Sequence, residues 1–172
     1  MAFGSKQHQV PAQQYLIKPG YIYLPRDFTV ISAVLGSCVA VCLYDNRRKI
    51  AGMNHFQYPR HEDGQTPTAR YGDISTAALI KMIIDIGADK KHLEAQIFGG
   101  AHNPEISDQN IGRENYRVAR SIISRRGLRI VSEDIGGERG RKIIFDTRNN
   151  EVAVLKTVQL RREDWYPYES DR

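Results

Sequence analysis

A cysteine placed between a turn and an apolar strand is the feature that most constrains this chain. Gly36-Ser37 is a turn signal, and the run after Cys38, from Val39 to Tyr44, is short and largely apolar. The pattern predicts a buried strand with Cys38 at its entrance. A sharp turn there can present the thiol to a cleft and aim backbone N–H groups at one point, as an oxyanion requires. Cys38 is therefore the candidate nucleophile.

The second cysteine, Cys42, lies four residues further along the same predicted strand. Because side chains alternate along a strand, Cys42 falls on the same face as Cys38, where we expect it to be a core residue. Two thiols spaced in this way favour neither a disulfide framework nor a zinc site. The sequence therefore predicts reduced cysteines, a cytoplasmic location and no metal or other cofactor.

Length and composition are typical of one globular domain with polar ends. Of the 172 residues, we assign 15–158 to a single catalytic domain, 1–14 to a polar N-terminal segment and 159–172 to a charged and aromatic tail. No run resembles a signal peptide or is long enough to span a membrane. The net charge of +5 invites nucleic acid as a partner, but the basic residues are scattered among acidic ones. A solvated surface explains this pattern best, an acidic protein partner less well and nucleic acid least well.

A predicted hairpin brings a histidine towards the cysteine. The segment Lys49–Phe56 has the pattern of a strand, and Asp45–Arg48 has the turn chemistry to pair it with the Cys38 strand. To within a couple of residues, this register places His55 opposite Cys38. Ser32, on the preceding β-rich run, is close enough in sequence for its hydroxyl to approach the same point. A packed histidine and an uninvolved serine remain the alternatives.

The remaining chain alternates helical and extended patterns. Asp73 or Ser75 can cap a helix that we expect to be buried over much of its girth and to end at Gly87. A second helix is predicted over 111–126, and strands are predicted over 15–19, 20–24, 28–34, 94–98, 128–134, 141–146 and 151–155. Gly99-Gly100 after a strand allows a close backbone approach, either to a substrate or to a neighbouring element.

A cysteine and a histidine at this spacing can hydrolyse an amide. A nearby imidazole can hold the thiol as an ion pair with a lowered cysteine pKa and can protonate the departing amine. The hydroxyl of Ser32 can orient the other nitrogen of His55 as a third member. No paired spacing of histidines and carboxylates indicates a metal site, and no phosphate-binding glycine loop is present.

Six segments together resemble the CheD family of bacterial chemoreceptor glutamine deamidases. Each segment is weakly specific, but they occur in the family's order between about Tyr15 and Val154. They are Leu35-Gly36-Ser37-Cys38-Val39-Ala40-Val41, Gly52-Met53-Asn54-His55-Phe56, Tyr71-Gly72-Asp73, Ile97-Phe98-Gly99-Gly100-Ala101, Asn110-Ile111-Gly112-Arg113-Glu114-Asn115, and Glu133-Asp134-Ile135-Gly136-Gly137 with Gly140-Arg141-Lys142-Ile143.

The resemblance implies an α/β (α+β) fold in which a layered β-sheet sandwich is flanked by helices. It also implies a cysteine hydrolase that converts glutamines of methyl-accepting chemotaxis receptors to glutamates, in some members with methylesterase activity. The family's nucleophile and histidine fall on Cys38 and His55, and its third residue, usually threonine, falls on Ser32. Within the motifs we expect substrate contacts at Gly36, Ser37, Asn54, Phe98, Gly99 and Gly100.

The partners expected from this reading are the cytoplasmic domains of chemoreceptors and a CheC-type phosphatase. We expect a monomer that neither binds nucleic acid nor inserts into a membrane. The alternative is a binding module that acts mainly by docking a phosphatase or receptor with little catalysis. Loss of turnover with retained binding after Cys38→Ala would distinguish the enzyme from the module.

Overall fold

Two β-sheets and a layer of helices form the fold of residues 12–157, which are the part of the chain that the computed structural model describes. The first sheet has four strands in the order β1-β3-β8-β9. Their bounds are β1 Gln13–Leu16, β3 Thr29–Leu35, β8 Gly140–Asp146 and β9 Glu151–Thr157. All neighbours in this sheet are antiparallel except β1 and β3.

The second sheet has five strands in the order β2-β5-β4-β6-β7, and it carries the helices. Its strands are β2 Tyr21–Tyr23, β5 Ile50–Phe56, β4 Val39–Asp45, β6 Leu93–Gly99 and β7 Arg129–Ile135. The α-helices are α1 Gly72–Asp85 and α2 Ile111–Arg125, and a short 3-10 helix covers Lys90–His92. This mixed arrangement confirms the predicted α+β sandwich flanked by helices.

The five-stranded sheet separates two hydrophobic cores, because its central strand β4 is buried on both faces. Val41 and Leu43 point towards the helices, where they pack with residues such as Leu79 of α1. Ala40 and Cys42 point the other way, into the core between the two sheets. Continuous burial explains why β4 reads as an apolar run without alternation. Cys42 is fully buried, as its predicted core role requires.

The chain crosses from one sheet to the other at the position of the candidate nucleophile. Strand β3 ends at Leu35 in the first sheet, and β4 begins at Val39 in the second. Residues 36–38 form the connection, so Cys38 lies at one open end of the sandwich. The predicted hairpin with β5 is confirmed, and its register pairs Val39 with Phe56 and Ala40 with His55.

The first helix differs from its prediction in two respects. Its N-cap is Tyr71, which makes no side-chain cap, and Asp73 lies in the first turn, where its carboxylate accepts from the N–H groups of His61 and Ile74. Burial is also less extensive than expected, since Met82 and Ile86 are exposed. One face of α1 packs on the sheet and on α2, and the apolar residues beyond it remain at the surface.

The N-terminal residues 1–11 and the tail from 158 onwards lie outside the described residues, and so do the expectations that fall on them. The described strands extend from Gln13 to Thr157. Neither α1 nor α2 is long and apolar enough to cross a lipid bilayer.

Candidate active site

The connection that carries Cys38 is fixed by hydrogen bonds to its carbonyl groups. The N–H of Gly100 donates to the carbonyl of Cys38, and the N–H of Ala101 donates to that of Gly36, both at 2.9 Å. Gly36 is half-buried and Ser37 is exposed, so both predicted substrate contacts lie at the surface beside the thiol. Cys38 itself is half-buried and packs against the core between the sheets.

The glycine pair after β6 closely approaches the backbone of residues 36–38, which we call the nucleophile loop. A close approach to a neighbouring element was one of the two alternatives for these glycines. Gly99 has φ of 111°, and a Cβ on it would overlap the carbonyl oxygen of Cys38. The N–H of Gly100 is used in the hydrogen bond to the same carbonyl. Gly99 and Gly100 therefore pack against the backbone of Cys38, and substrate contacts at these two positions stay a prediction.

A buried arginine supports the glycine pair in turn. Arg141 is 1% exposed, and its guanidinium donates to the carbonyls of Asp134 and Gly136 and pairs with the Asp134 carboxylate. The N–H of Gly136 donates to the carbonyl of Gly99. The turn between β7 and β8 is thereby attached to the turn that holds Cys38.

The hydrogen bond of His55 fixes the tautomer of its ring. Its Nδ1 lies 3.0 Å from the carbonyl oxygen of Ile17. Because a carbonyl can only accept, Nδ1 carries the proton, and Nε2 of the neutral ring has a free lone pair. Nε2 is buried and has no hydrogen-bond partner among residues 12–157. Nε2 of His55 is thus available to accept a proton.

The thiol and the imidazole lie on the same face of the second sheet. His55 is paired with Ala40, and Cys38, the residue immediately before β4, is two positions from Ala40 along the chain and packs against the same core between the sheets, which is the placement of a diagonal neighbour. Diagonal pairs are separated by roughly 7 Å at their backbones, which cysteine and histidine side chains can bridge. No hydrogen bond joins them within the described residues, and such contacts often form only in the substrate complex.

Burial keeps both groups neutral in the resting site. It raises the pKa of the Cys38 thiol to about 11 and lowers the pKa of His55 to about 4. The hydrogen bond to Ile17 acts in the opposite direction on the pKa of His55, but desolvation is the larger cause. An ion pair with a lowered cysteine pKa, which a nearby imidazole can support, is not favoured by this burial. At neutral pH the pair is a thiol and a free base.

A backbone donor is available beside the sulfur. The N–H of Cys38 donates to no backbone carbonyl of the described residues, so this donor is not used by the fold. A carbonyl carbon attacked by Sγ would place its oxygen near this donor. The arrangement can therefore contribute to an oxyanion hole.

The predicted third member, Ser32, does not contact the histidine. Its neighbours Ile31 and Ala33 point into the core between the sheets, so the Ser32 side chain lies on the opposite face of β3. Its carbonyl accepts from the N–H of Ile17, and the carbonyl of Ile17 accepts from His55. The group that orients the imidazole is thus a backbone carbonyl, and Ser32 supports it only through its own backbone.

Two residues that were predicted to contact the substrate, Asn54 and Phe98, are buried. Asn54 is fully buried on the face of β5 opposite to His55, where its Oδ1 accepts from the N–H of Val41 at 2.8 Å. Adjacent residues on a strand point in opposite directions, so Asn54 cannot share the site of His55. Phe98 is 2% exposed and packs in the inter-sheet core, beside Ala40 in the sheet. It forms part of the wall beneath the site.

The low pKa of His55 predicts a pH-dependent stability. Between about pH 4 and 6.5 the unfolded chain binds a proton on this ring that the folded chain does not, so the free energy of unfolding rises with pH. The contribution of His55 over this range is about 3 kcal/mol. We expect His55→Gln to lose that part of the rise. Urea unfolding of both proteins at several pH values checks this, and parallel pH profiles would contradict it.

Within residues 12–157, no group of three His, Cys, Asp or Glu side chains is arranged to hold a metal ion. The site consists of a thiol, an imidazole with a free lone pair, a carbonyl that orients the imidazole and a backbone donor beside the sulfur. These are the elements of a cysteine hydrolase built on a two-sheet sandwich.

Comparison with known proteins agrees with this class. The family model described as CheD chemotactic sensory transduction matches residues 57–156. The probable chemoreceptor glutamine deamidase CheD of Sulfurimonas denitrificans is 40% identical over 134 residues, which are 76% of this chain and 85% of that protein. The protein of the same name from Trichlorobacter lovleyi is 38% identical over 157 residues, or 90% and 98% of the two chains. The chain belongs to the CheD family.

Proposed function

We propose that this protein is a chemoreceptor glutamine deamidase that hydrolyses glutamine side-chain amides of methyl-accepting chemotaxis receptors to glutamates and releases ammonia. The observation that carries the proposal is the buried Nε2 of His55, which has no hydrogen-bond partner within the described part of the chain and lies on the same sheet face as Cys38. The relatives, which are named as probable chemoreceptor glutamine deamidases, support the choice of substrate.

The first half of the reaction forms a thioester. Sγ of Cys38 attacks the amide carbon while its proton passes to Nε2 of His55, and the carbonyl oxygen becomes an oxyanion that accepts from the N–H of Cys38. The imidazolium is stabilised because Nδ1–H continues to donate to the Ile17 carbonyl. As the oxyanion collapses, the C–N bond breaks and the departing amine takes the proton from Nε2, leaving as ammonia.

The second half returns the free enzyme. Water attacks the thioester carbon and gives a proton to Nε2, and the second oxyanion collapses with loss of the Cys38 thiolate. The thiolate recovers its proton from the imidazolium, and the product is a glutamate side chain. The imidazole is uncharged at neutral pH at the start of each half, so Nε2 is available to accept a proton.

The proposed enzyme acts in the cytoplasm on chemoreceptors and has a phosphatase as a second partner. The substrates are the cytoplasmic domains of receptors, so we place the protein in the cytoplasm, which also suits two free thiols. We assign catalysis to residues 15–158 acting as a monomer, supported by described strands that extend from Gln13 to Thr157. A CheC-type phosphatase is the second partner in this proposal.

Intact-mass spectrometry of receptor cytoplasmic fragments tests the function. Fragments incubated with the enzyme are expected to gain about one dalton for each amide converted to an acid, with one ammonia released per conversion. Peptide mapping should place each gain on a glutamine, and fragments incubated without enzyme provide the control. Absence of any gain on a panel of receptors would overturn the proposal.

A further inference from the structure

The three consecutive carbonyl groups of residues 36–38 are all held by hydrogen bonds, but their donors differ in kind. Backbone N–H groups that follow β6 donate to the first and the third. The middle carbonyl, that of Ser37, accepts from a side chain instead. The donor is Nδ2 of Asn115 on α2, at 2.9 Å. A side-chain amide from a helix therefore holds the residue that immediately precedes Cys38.

The same nitrogen of Asn115 also holds the strand that carries the histidine. Its second N–H donates to the carbonyl of Gln57, again at 2.9 Å. Gln57 directly follows β5 and lies two residues after His55. One carboxamide thus joins the loop of the thiol to the strand of the imidazole.

The surroundings of Asn115 show that its NH₂ group is the part in use. The side chain is fully buried, and Oδ1 has no partner among residues 12–157. Both contacts of Nδ2 are carbonyl oxygens, which can only accept, so the orientation of the amide is determined by its partners. A buried amide that satisfies two carbonyls cannot be lost without leaving both unpaired.

The helix that bears Asn115 is itself seated tightly. Gly112, three residues earlier on α2, lies against the turn after β6, and a Cβ on it would overlap the carbonyl oxygen of Gly100. The N–H of Gly100 in turn donates to the carbonyl of Cys38. The position of α2 relative to the nucleophile loop is therefore fixed by close backbone packing, and the amide has a defined place.

We propose that Asn115 is a positioning residue that sets the separation of the Cys38 thiol and the His55 imidazole. This inference rests on the proposed function, because it takes the thiol and the imidazole as the two reacting groups. Proton transfer needs Sγ and Nε2 to come within hydrogen-bonding distance, and an error of one ångström in such geometry can cost about 10²-fold in rate. Asn115 acts through the two backbone segments and does not touch the substrate.

Asn115→Leu, which keeps the branched shape and removes the donors, is compared with Gln96→Leu. Gln96 is 5% exposed and its Nε2 also donates two hydrogen bonds, both to Asn150, away from Cys38. We expect Asn115→Leu to lower kcat for deamidation about 10- to 100-fold with little change in KM. Alkylation of Cys38 by iodoacetamide near neutral pH should slow about 10-fold, because the imidazole that accepts the thiol proton during the reaction is held further from the sulfur. The Gln96 variant should retain both rates.

Melting temperatures of both variants complete the test. If both variants lose activity in proportion to their stability, with unchanged alkylation of Cys38, Asn115 is only a structural residue and the inference is overturned. Should Asn115→Leu not fold, Asn115→Ser is used as the second variant, because its hydroxyl keeps a single donor. If Cys38 in Asn115→Ser were alkylated at the wild-type rate, the inference would also be overturned. Alkylation needs no receptor, so its result stands apart from whether receptors are deamidated.

Discussion

Replacement of Cys38 by alanine is expected to abolish receptor deamidation while the protein stays folded and continues to bind its substrate. The loss should reach at least about 10⁴-fold, because removal of a nucleophile takes away the covalent pathway as a whole. Because Cys38 is half-buried, removal of its sulfur loses few packing contacts, and the variant should stay folded. Deamidation is measured by mass spectrometry of receptor fragments, and binding by their affinity for the folded variant.

Cys42→Ala is the matched control for this prediction. Its sulfur is fully buried in the same core and lies on the same sheet face, four residues along β4. We expect the control to lower stability by about 1 kcal/mol, as for the loss of a small buried group, and to keep turnover. If Cys38→Ala retained turnover, Cys38 would not be the nucleophile. Unaltered receptor signalling in cells that carry the Cys38→Ala variant would favour the alternative of a binding module with little catalysis.

The placement of Cys38 and His55 on one sheet face could be predicted from the sequence because it depends on local rules. A turn signal, an apolar run and a second strand after a polar turn define a hairpin, and period-2 alternation then assigns faces. The predicted register differed from the observed pairing of Ala40 with His55 by two residues. That error left the thiol and the imidazole on one face, because a shift of two positions preserves side-chain direction.

The supporting groups could not be predicted in the same way. The carbonyl of Ile17 orients His55, and a backbone carbonyl has no signature in the residue type. Ser32 was expected there because it carries a hydroxyl, but alternation along β3 turns it away. The inward position of Asn115 could be recognised from the sequence. It is a carboxamide three and four residues before Val118 and Ala119, which are buried on the same face of α2.

The neutral state of the pair also depends on tertiary structure. From the sequence, an adjoining histidine can hold the thiol as an ion pair, whereas burial favours the uncharged form of each group. How much water the second sheet excludes from His55 depends on strands β2 and β4 on either side of it. No local pattern reports that exclusion.

Gly99→Ala is expected to be among the most damaging single substitutions outside the reacting pair. Its φ of 111° is unfavourable for alanine, and the added Cβ would overlap the carbonyl oxygen of Cys38. Backbone strain and overpacking each cost about 1–3 kcal/mol, so we expect a loss of about 4 kcal/mol in the free energy of unfolding. Relief of the overlap would have to displace the nucleophile loop, so any folded fraction should also show a much reduced deamidation rate.

Gly127→Ala separates the two causes, because Gly127 has φ of 69° but no atom of residues 12–157 lies within 4 Å of the added Cβ. The control therefore carries strain without overlap, and we expect it to cost about 1–2 kcal/mol and to keep the deamidation rate. Urea unfolding and turnover are measured for both variants. Equal losses of stability would show that strain alone explains Gly99. An unchanged rate in Gly99→Ala would show that the carbonyl of Cys38 can move without moving the thiol, which would remove the glycine pair from the machinery that positions the nucleophile.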